Sequence, residues 1–217
     1  MAKADPTELE IEEVAGESFV EWARTNSKRI SVGGIIIVAV AAIGWLWRAS
    51  ADKKEMRASE ALAAAQAVVS SGNAALAQSD LQALLRRYGG TSAEVQARML
   101  LAQVHFAQGK VEDGLRELNA IKSPGLYAAS VHALKGAGLE QSGKPGEGAA
   151  EYELAAAAAQ TELSKAAYQS DAARAYLAAG NTDAAKRIWQ AIAADDSNPL
   201  SGEARVRLGE LNAKPIG

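Results

Sequence analysis

Glycine recurs at a nearly constant interval from residue 72 to residue 180 of this 217-residue chain, and this spacing restricts the fold more than any other feature. Gly72, Gly109, Gly143 and Gly180 are separated by 37, 34 and 37 residues. Each follows a stretch long enough for a helix and stands in a short turn, within SSGN, AQGK, QSGK and AAGN. A fixed period of this length indicates a repeat architecture, in which one supersecondary unit is copied along the chain.

The residues around these glycines repeat as well. Small residues stand seven positions before each glycine (Ala65, Ala102, Gly136, Ala173) and five positions after it (Ala77, Gly114, Gly148, Ala185), and a large apolar residue stands nine positions after it (Leu81, Leu118, Tyr152, Trp189). Small residues let two helices approach closely, so we expect antiparallel helix pairs that bury their apolar stripes by stacking. The alanine-rich composition predicts an all-α chain. The four repeating glycines predict about four helix pairs, followed by a capping helix around residues 202–212.

The period and the small, glycine, small and large positions resemble the tetratricopeptide repeat over residues 53–199. This resemblance implies an α-solenoid in which the first helix of each pair lines a concave, protein-binding face. The repeat register places these residues on that face: Leu62, Gln66, Val69, Met99, Gln103, Phe106, Ala133, Glu140, Ser170, Arg174 and Leu177. Adaptable apolar groups beside polar ones suit an extended or helical segment of a partner. The alternative for some of them, Phe106 above all, is a place in the core.

The segment from Ile30 to Trp47 contains 18 residues without an ionisable group. A helix of that length extends about 27 Å, close to the ~30 Å hydrocarbon core of a bilayer. We therefore predict an N-terminal transmembrane helix over residues 30–48, between an acidic leader at residues 1–29 and a helical-repeat domain at residues 49–217. The predicted membrane-interface anchors are Trp22, Lys28, Arg29, Trp45, Trp47 and Arg48. A buried core helix and a cleaved signal peptide are the alternatives.

Charge does not decide how this segment would be oriented. Basic residues near it number three before (Arg24, Lys28, Arg29) and four after (Arg48, Lys53, Lys54, Arg57). The positive-inside rule gives no clear answer for so balanced a count. The leader holds seven acidic residues within residues 1–23 against one lysine, and we assign no function to it.

No set of residues in the sequence points to catalysis, a cofactor or a metal. The chain has no cysteine and two histidines, so thiolate metal sites and disulfides are excluded. Residues 138–144 match the GxxxxGK spacing of a phosphate loop, but Pro145 stands where a Ser or Thr hydroxyl is needed for Mg²⁺. Residues 49–217 carry 18 basic and 19 acidic side chains, which argues against nucleic acid. We expect a non-enzymatic protein with no cofactor and no small-molecule substrate.

The order of features along the chain is similar to that of the ancillary subunit of the bacterial Sec translocon. The resemblance rests on the acidic leader, Phe19 and Trp22 before the apolar segment, Gly33-Gly34 within it, Gly44 to Trp47 at its end, and the repeats that follow. It implies a single-pass protein of the bacterial inner membrane, with a cytoplasmic N-terminus and a periplasmic domain that works beside the channel and a periplasmic chaperone. The alternative is a structural scaffold subunit of a large inner-membrane complex, such as a photosynthetic or respiratory assembly.

Overall fold

The computed structural model describes the backbone of residues 27–213 and the side chains of residues 40–213. Residues 27–213 contain no β-strand and form nine α-helices with one short 3-10 helix at Gly125–Tyr127. The α-helices are α1 (Ser27–Ser70), α2 (Ala74–Tyr88), α3 (Ser92–Ala107), α4 (Val111–Asn119), α5 (Ala128–Gln141), α6 (Pro145–Ala157), α7 (Glu162–Ala178), α8 (Thr182–Ala194) and α9 (Ser201–Asn212).

The chain divides into two compact units, Met1–Lys53 and Lys54–Gly217, and the repeats lie in the second unit. From α2 to α9, each helix packs against the next one along the chain. The end of α1 shares a core with α2 and α3. This order confirms the predicted all-α solenoid of four helix pairs, α1–α2, α3–α4, α5–α6 and α7–α8, with α9 as the additional helix at its end.

The repeating glycines end the first helix of each pair. Gly72, Gly109, Gly143 and Gly180 have φ angles of 77°, 73°, 78° and 77°. Residues with a Cβ rarely adopt this left-handed conformation, because Cβ then crowds the following carbonyl group. In the last three turns, the N–H after the glycine donates to the carbonyl five residues earlier, at 2.9, 2.9 and 2.8 Å. This is the Schellman arrangement, so the sequence period is the period of the helix-ending turns.

The flanking positions of the repeat form the centre of the solenoid. All eight small residues and all four large apolar residues of the pattern are buried. Trp189 is 2% exposed and packs with Ala173, Ala185, Ile192 and Ala204, so α9 covers the end of the fourth pair. The small residues bring the two helices of a pair together, and the large residues fill the space beside them.

Helices α5 and α6 approach each other closely, at a crossing where two glycines face each other. A Cβ atom built on Gly148 would lie 2.8 Å from the carbonyl oxygen of Gly136, which is backbone and cannot turn aside. A Cβ atom on Gly136 would in turn lie 2.9 Å from the ring of Tyr152. Glycine is therefore required at this crossing by its lack of a side chain.

The first part of the predicted transmembrane segment, residues 30–39, lies outside the residues whose side chains the structure describes. The side chains of Lys28 and Arg29 lie outside them too. Trp22 and the rest of the acidic leader up to residue 26 lie outside the described backbone as well. Trp45 and Trp47 are 70% and 80% exposed, and Arg48 is exposed. Within the described part of the chain, no helix combines the length and the apolar character that crossing a membrane requires. The anchor and the three predicted domains therefore stay predictions.

Gly148→Ala tests the close crossing of α5 and α6. The added methyl group would push the two helices apart, and we expect the free energy of unfolding to fall by about 1–3 kcal/mol. Urea unfolding followed by circular dichroism measures this change. Gly146→Ala in the same helix is the matched control, since a Cβ atom there would lie 3.5 Å from Ala179 Cβ in ordinary contact. Equal stability losses in both variants would contradict the proposed crossing.

Candidate protein-binding groove

The predicted groove residues lie on the first helices of the four pairs, at different depths. Gln66, Gln103 and Arg174 are exposed. The partly buried members of the set are Val69, Met99, Phe106, Ala133, Glu140, Ser170 and Leu177. Leu62 is buried. The predicted set therefore contains both surface residues and residues that pack in the interior.

Leu62 requires a correction. Its side chain is 6% exposed and belongs to the core cluster that α1 forms with α2 and α3. Ala58, Leu62 and Ala65 follow one another at intervals of four and three residues, so they share one face of α1, and all three are buried. That face packs against α2 and α3, which removes Leu62 from the open surface.

Phe106 is a packing residue as well. A Cβ atom built on Gly114 would lie 2.4 Å from its ring, and one built on Gly138 would lie 2.6 Å from it. The ring therefore occupies the space that these two glycines of α4 and α5 leave. The alternative interpretation of Phe106, a place in the core, fits this position better than a role in binding.

The N-terminal part of the groove is an uncharged cleft. It has a volume of about 290 Å³, and Val69, Gln103, Val104 and Ala107 line it together with three small residues, Gly72, Ala74 and Ala77. Gln103 is the single polar side chain among these lining residues. This part of the groove can offer dispersion contacts and one amide to a ligand, but no charge.

A polar network crosses the groove from the third helix pair to the fourth. The Glu140 carboxylate on α5 accepts hydrogen bonds from the Tyr152 hydroxyl on α6 (2.9 Å) and from the Arg174 guanidinium on α7 (2.9 Å). Arg174 also donates to Asp171, one turn earlier in α7, at 3.3 Å. Burial, together with the bond to Glu140, raises the pKa of Tyr152 above its ordinary value. For Arg174, burial lowers the pKa, but the hydrogen bonds and negative charges of Glu140 and Asp171 together outweigh burial, so the pKa is raised.

The C-terminal part of the groove is a charged cleft between α7 and α9. It has a volume of about 210 Å³, and its lining residues are Ser170, Arg174, Leu177, Trp189, Glu203, Arg207, Glu210 and Leu211. In α9, Arg207 forms ion pairs with Glu203 at 3.6 Å and with Glu210 at 3.2 Å. The structure thus brings three predicted groove residues, Ser170, Arg174 and Leu177, together with residues of α9.

Reasoning from the repeat register missed the part that α9 plays, because the register ends with the fourth pair. The sequence does place three charged residues of this helix on one face, since Glu203, Arg207 and Glu210 follow at intervals of four and three residues. This spacing could have indicated the charged side of α9. Reasoning from the register also missed Tyr152 as a partner of Glu140, since the pattern marks residue 152 only as a large buried position.

The described residues hold little that suggests catalysis. No group of three or more acidic or histidine side chains within them could hold a metal ion. His132 Nδ1 lies 2.6 Å from Glu151 Oε2, a contact that joins α5 to α6. His105 is 5% exposed and lies within α3.

Comparison with known protein families gives two matches. A family model described as a tetratricopeptide repeat-like domain matches residues 60–171, which is more than half of the chain. A second model, described as a tetratricopeptide repeat, matches residues 170–214 and includes α9. No curated protein matches the chain.

Tyr152→Phe tests the polar network through its pH dependence. In the unfolded chain the tyrosine titrates near pH 10, whereas in the native structure its pKa is higher. Above about pH 10 the unfolded state loses its proton first, so the wild-type free energy of unfolding falls as pH rises. We expect the stability difference between wild type and the phenylalanine variant to be constant below about pH 10 and to shrink above it. Urea unfolding at a series of pH values measures it; a difference that does not change with pH would contradict the network.

Proposed function

Because the chain belongs to the family of tetratricopeptide repeat-like domains, we propose that its groove holds a segment of a partner protein. Repeats of this kind form protein-protein interaction modules, which are typically non-catalytic. A solenoid suits this role, since stacked pairs create an extended concave surface longer than any single helix could offer.

The observation that carries the proposal is a pair of open clefts, each lined in part by first helices. Residues at the end of α1, the start of α2 and the end of α3 line the uncharged cleft, and residues of α7, α8 and α9 line the charged cleft. Exposed polar side chains of the repeats, Gln103 and Arg174, stand in one cleft each. A partner segment can therefore be held by apolar contacts at one end and by polar contacts at the other.

The proposal extends to the place where the module works. Residues 30–48 would anchor it in the bacterial inner membrane with the repeat domain in the periplasm, as an accessory subunit that links the Sec translocon to periplasmic chaperones. The uncharged segment, the exposed rings of Trp45 and Trp47 and the resemblance of the whole chain support this role. The lipid bilayer, the channel and a chaperone would be its partners.

One observation favours the alternative of a structural scaffold subunit in a large inner-membrane complex. A third cleft, of about 490 Å³, lies on α6, α7 and α8, and alanines form much of its lining. It shares no lining residue with the two groove clefts. A scaffold that clamps neighbouring subunits needs two such separate surfaces.

Site-specific photo-crosslinking in living bacteria tests the groove. A photo-reactive residue placed at Gln103 of the full chain should form crosslinks to the translocon channel or to a chaperone, because this position opens into the uncharged cleft. The same residue at Gln190 is the control, since Gln190 is exposed on α8 and lines none of the three clefts. Crosslinks to redox or pigment proteins would favour the scaffold. Crosslinks no stronger at residue 103 than at residue 190 would reject the groove.

Membrane fractionation of the full chain tests the anchor and its orientation. We expect the protein to stay in the membrane pellet after carbonate extraction, since an uncharged helix of about 27 Å would span the bilayer core. Protease added outside spheroplasts should digest residues 49–217. Release by carbonate would reject the anchor, and complete protection from the protease would place the domain in the cytoplasm.

A further inference from the structure

The second and third helix pairs are connected differently from the others. Eight residues, 120–127, separate α4 from α5, whereas three to six residues separate the other successive helices from α1 to α9. The segment follows α4, which has nine residues and is the shortest of the described α-helices. Lys122, Ser123 and Gly125 are exposed, and Leu126 is 81% exposed, so much of the segment lies at the surface.

The apolar core is divided at the same place. Within the described part of the chain, one cluster of packed apolar side chains lies within residues 58–104. Two further clusters lie within residues 133–211 and share Tyr176 and Ile188. Leu118 and Val131 are buried between these ranges but belong to none of the three clusters. Sub-global motion is easiest where few buried apolar contacts cross from one part to the next.

The two sides are bridged at the end of α3 and open at its start. The ring of Phe106 lies 2.6 Å from a Cβ position built on Gly138, and Gln141 Nε2 donates to the Phe106 carbonyl at 3.2 Å. At the start of α3 there is an open cleft of about 460 Å³, which residues between 90 and 98 and residues 120–123 line. The connecting segment therefore has open space beside it.

The junction between the third and fourth pairs is tied by more contacts. Arg174 on α7 donates to Glu140 on α5 at 2.9 Å, and the Tyr176 hydroxyl on α7 donates to Glu153 on α6 at 3.0 Å. Tyr176 also packs against both apolar clusters of this part of the chain. The third pair, the fourth pair and α9 are thus joined by shared packing and by hydrogen bonds.

We propose that residues 120–127 form a joint, at which the first two helix pairs turn against the third pair, the fourth pair and α9. Phe106 is the pivot, and the cleft beside residues 120–123 gives the segment room to move. Hinges are a few loop residues that absorb a change in backbone angles. The joint lies between the uncharged cleft and the charged cleft, so turning at it changes the distance between them. The inference goes beyond the proposed function, since it concerns the shape of the groove and not its occupant.

Distances between two spin labels test the joint in the full chain in a nonionic detergent. The chain has no cysteine, so introduced cysteines are labelled selectively. Arg116, Ala150 and Arg187 are exposed and each stand seven positions after a repeating glycine. Arg116→Cys with Ala150→Cys spans the joint, and Ala150→Cys with Arg187→Cys spans the third and fourth pairs at the equivalent positions. We expect the distance distribution across the joint to be about twofold broader than the other.

Phe106→Leu in both doubly labelled proteins tests the pivot. The smaller side chain leaves part of the space beside Gly138 empty. We therefore expect the distribution between residues 116 and 150 to broaden further and the one between residues 150 and 187 to stay unchanged. Tyr152→Phe is the control, since its hydroxyl bonds to Glu140 on the other side of the joint, and it should leave the first distribution unchanged. Thermal melting shows whether each variant is folded.

Equal widths for the two label pairs in the parent protein would overturn the inference, whether or not the leucine variant folds. Equal broadening of both distributions by Phe106→Leu would also reject Phe106 as the pivot of a local joint. If crosslinks form at residue 103 while the two widths are equal, the joint fails and the proposed function stands. A broad distribution across the joint without crosslinks above the level at residue 190 leaves the joint in place and rejects the proposed function.

Discussion

The close approach of paired helices through small residues is the constraint on which the rest of the structure depends. Gly136 and Gly148 leave no room for a methyl group between α5 and α6, and alanines occupy the equivalent positions in the first and fourth pairs. Close-packed interiors tolerate little change in volume, so each pair has one preferred crossing. Each pair carries small residues at these two positions, and from α2 to α9 each helix packs against the next one along the chain.

The same constraint decides where large side chains go. Trp189 and Tyr152 stand at equivalent positions of the repeat and fill the space beside the crossings. Phe106 fills the space that Gly114 and Gly138 leave, so it joins two successive pairs. Neighbouring pairs are therefore held together by shape, and the surface ion pair between Arg174 and Glu140 adds little to stability, as is usual for a partly exposed pair. This leaves the polar residues of the groove available for recognition.

The two ends of the groove differ in chemistry, and this difference bears on function. The cleft near Gln103 has no ionisable lining residue, whereas two arginines and two glutamates line the cleft between α7 and α9. An interface that combines apolar contacts with charge complementarity gains affinity from the first and selectivity from the second. A module that holds one segment of a partner in a fixed direction needs such an asymmetry.

The sequence by itself determined the number of helix pairs, the turns that separate them and the residues at their crossings. It could do so because left-handed glycines and buried small residues are local requirements that recur with the period of the repeat. Only the tertiary structure decided that Leu62 is core, that Phe106 fills a gap, and that Tyr152, Glu140 and Arg174 form one network with α9 beside it. A repeat register gives the face of a helix on which a residue lies, but exposure and hydrogen bonding depend on which neighbouring helix covers that face. The hydrogen bonds of this network join residues 12 and 34 positions apart, and no local pattern specifies them.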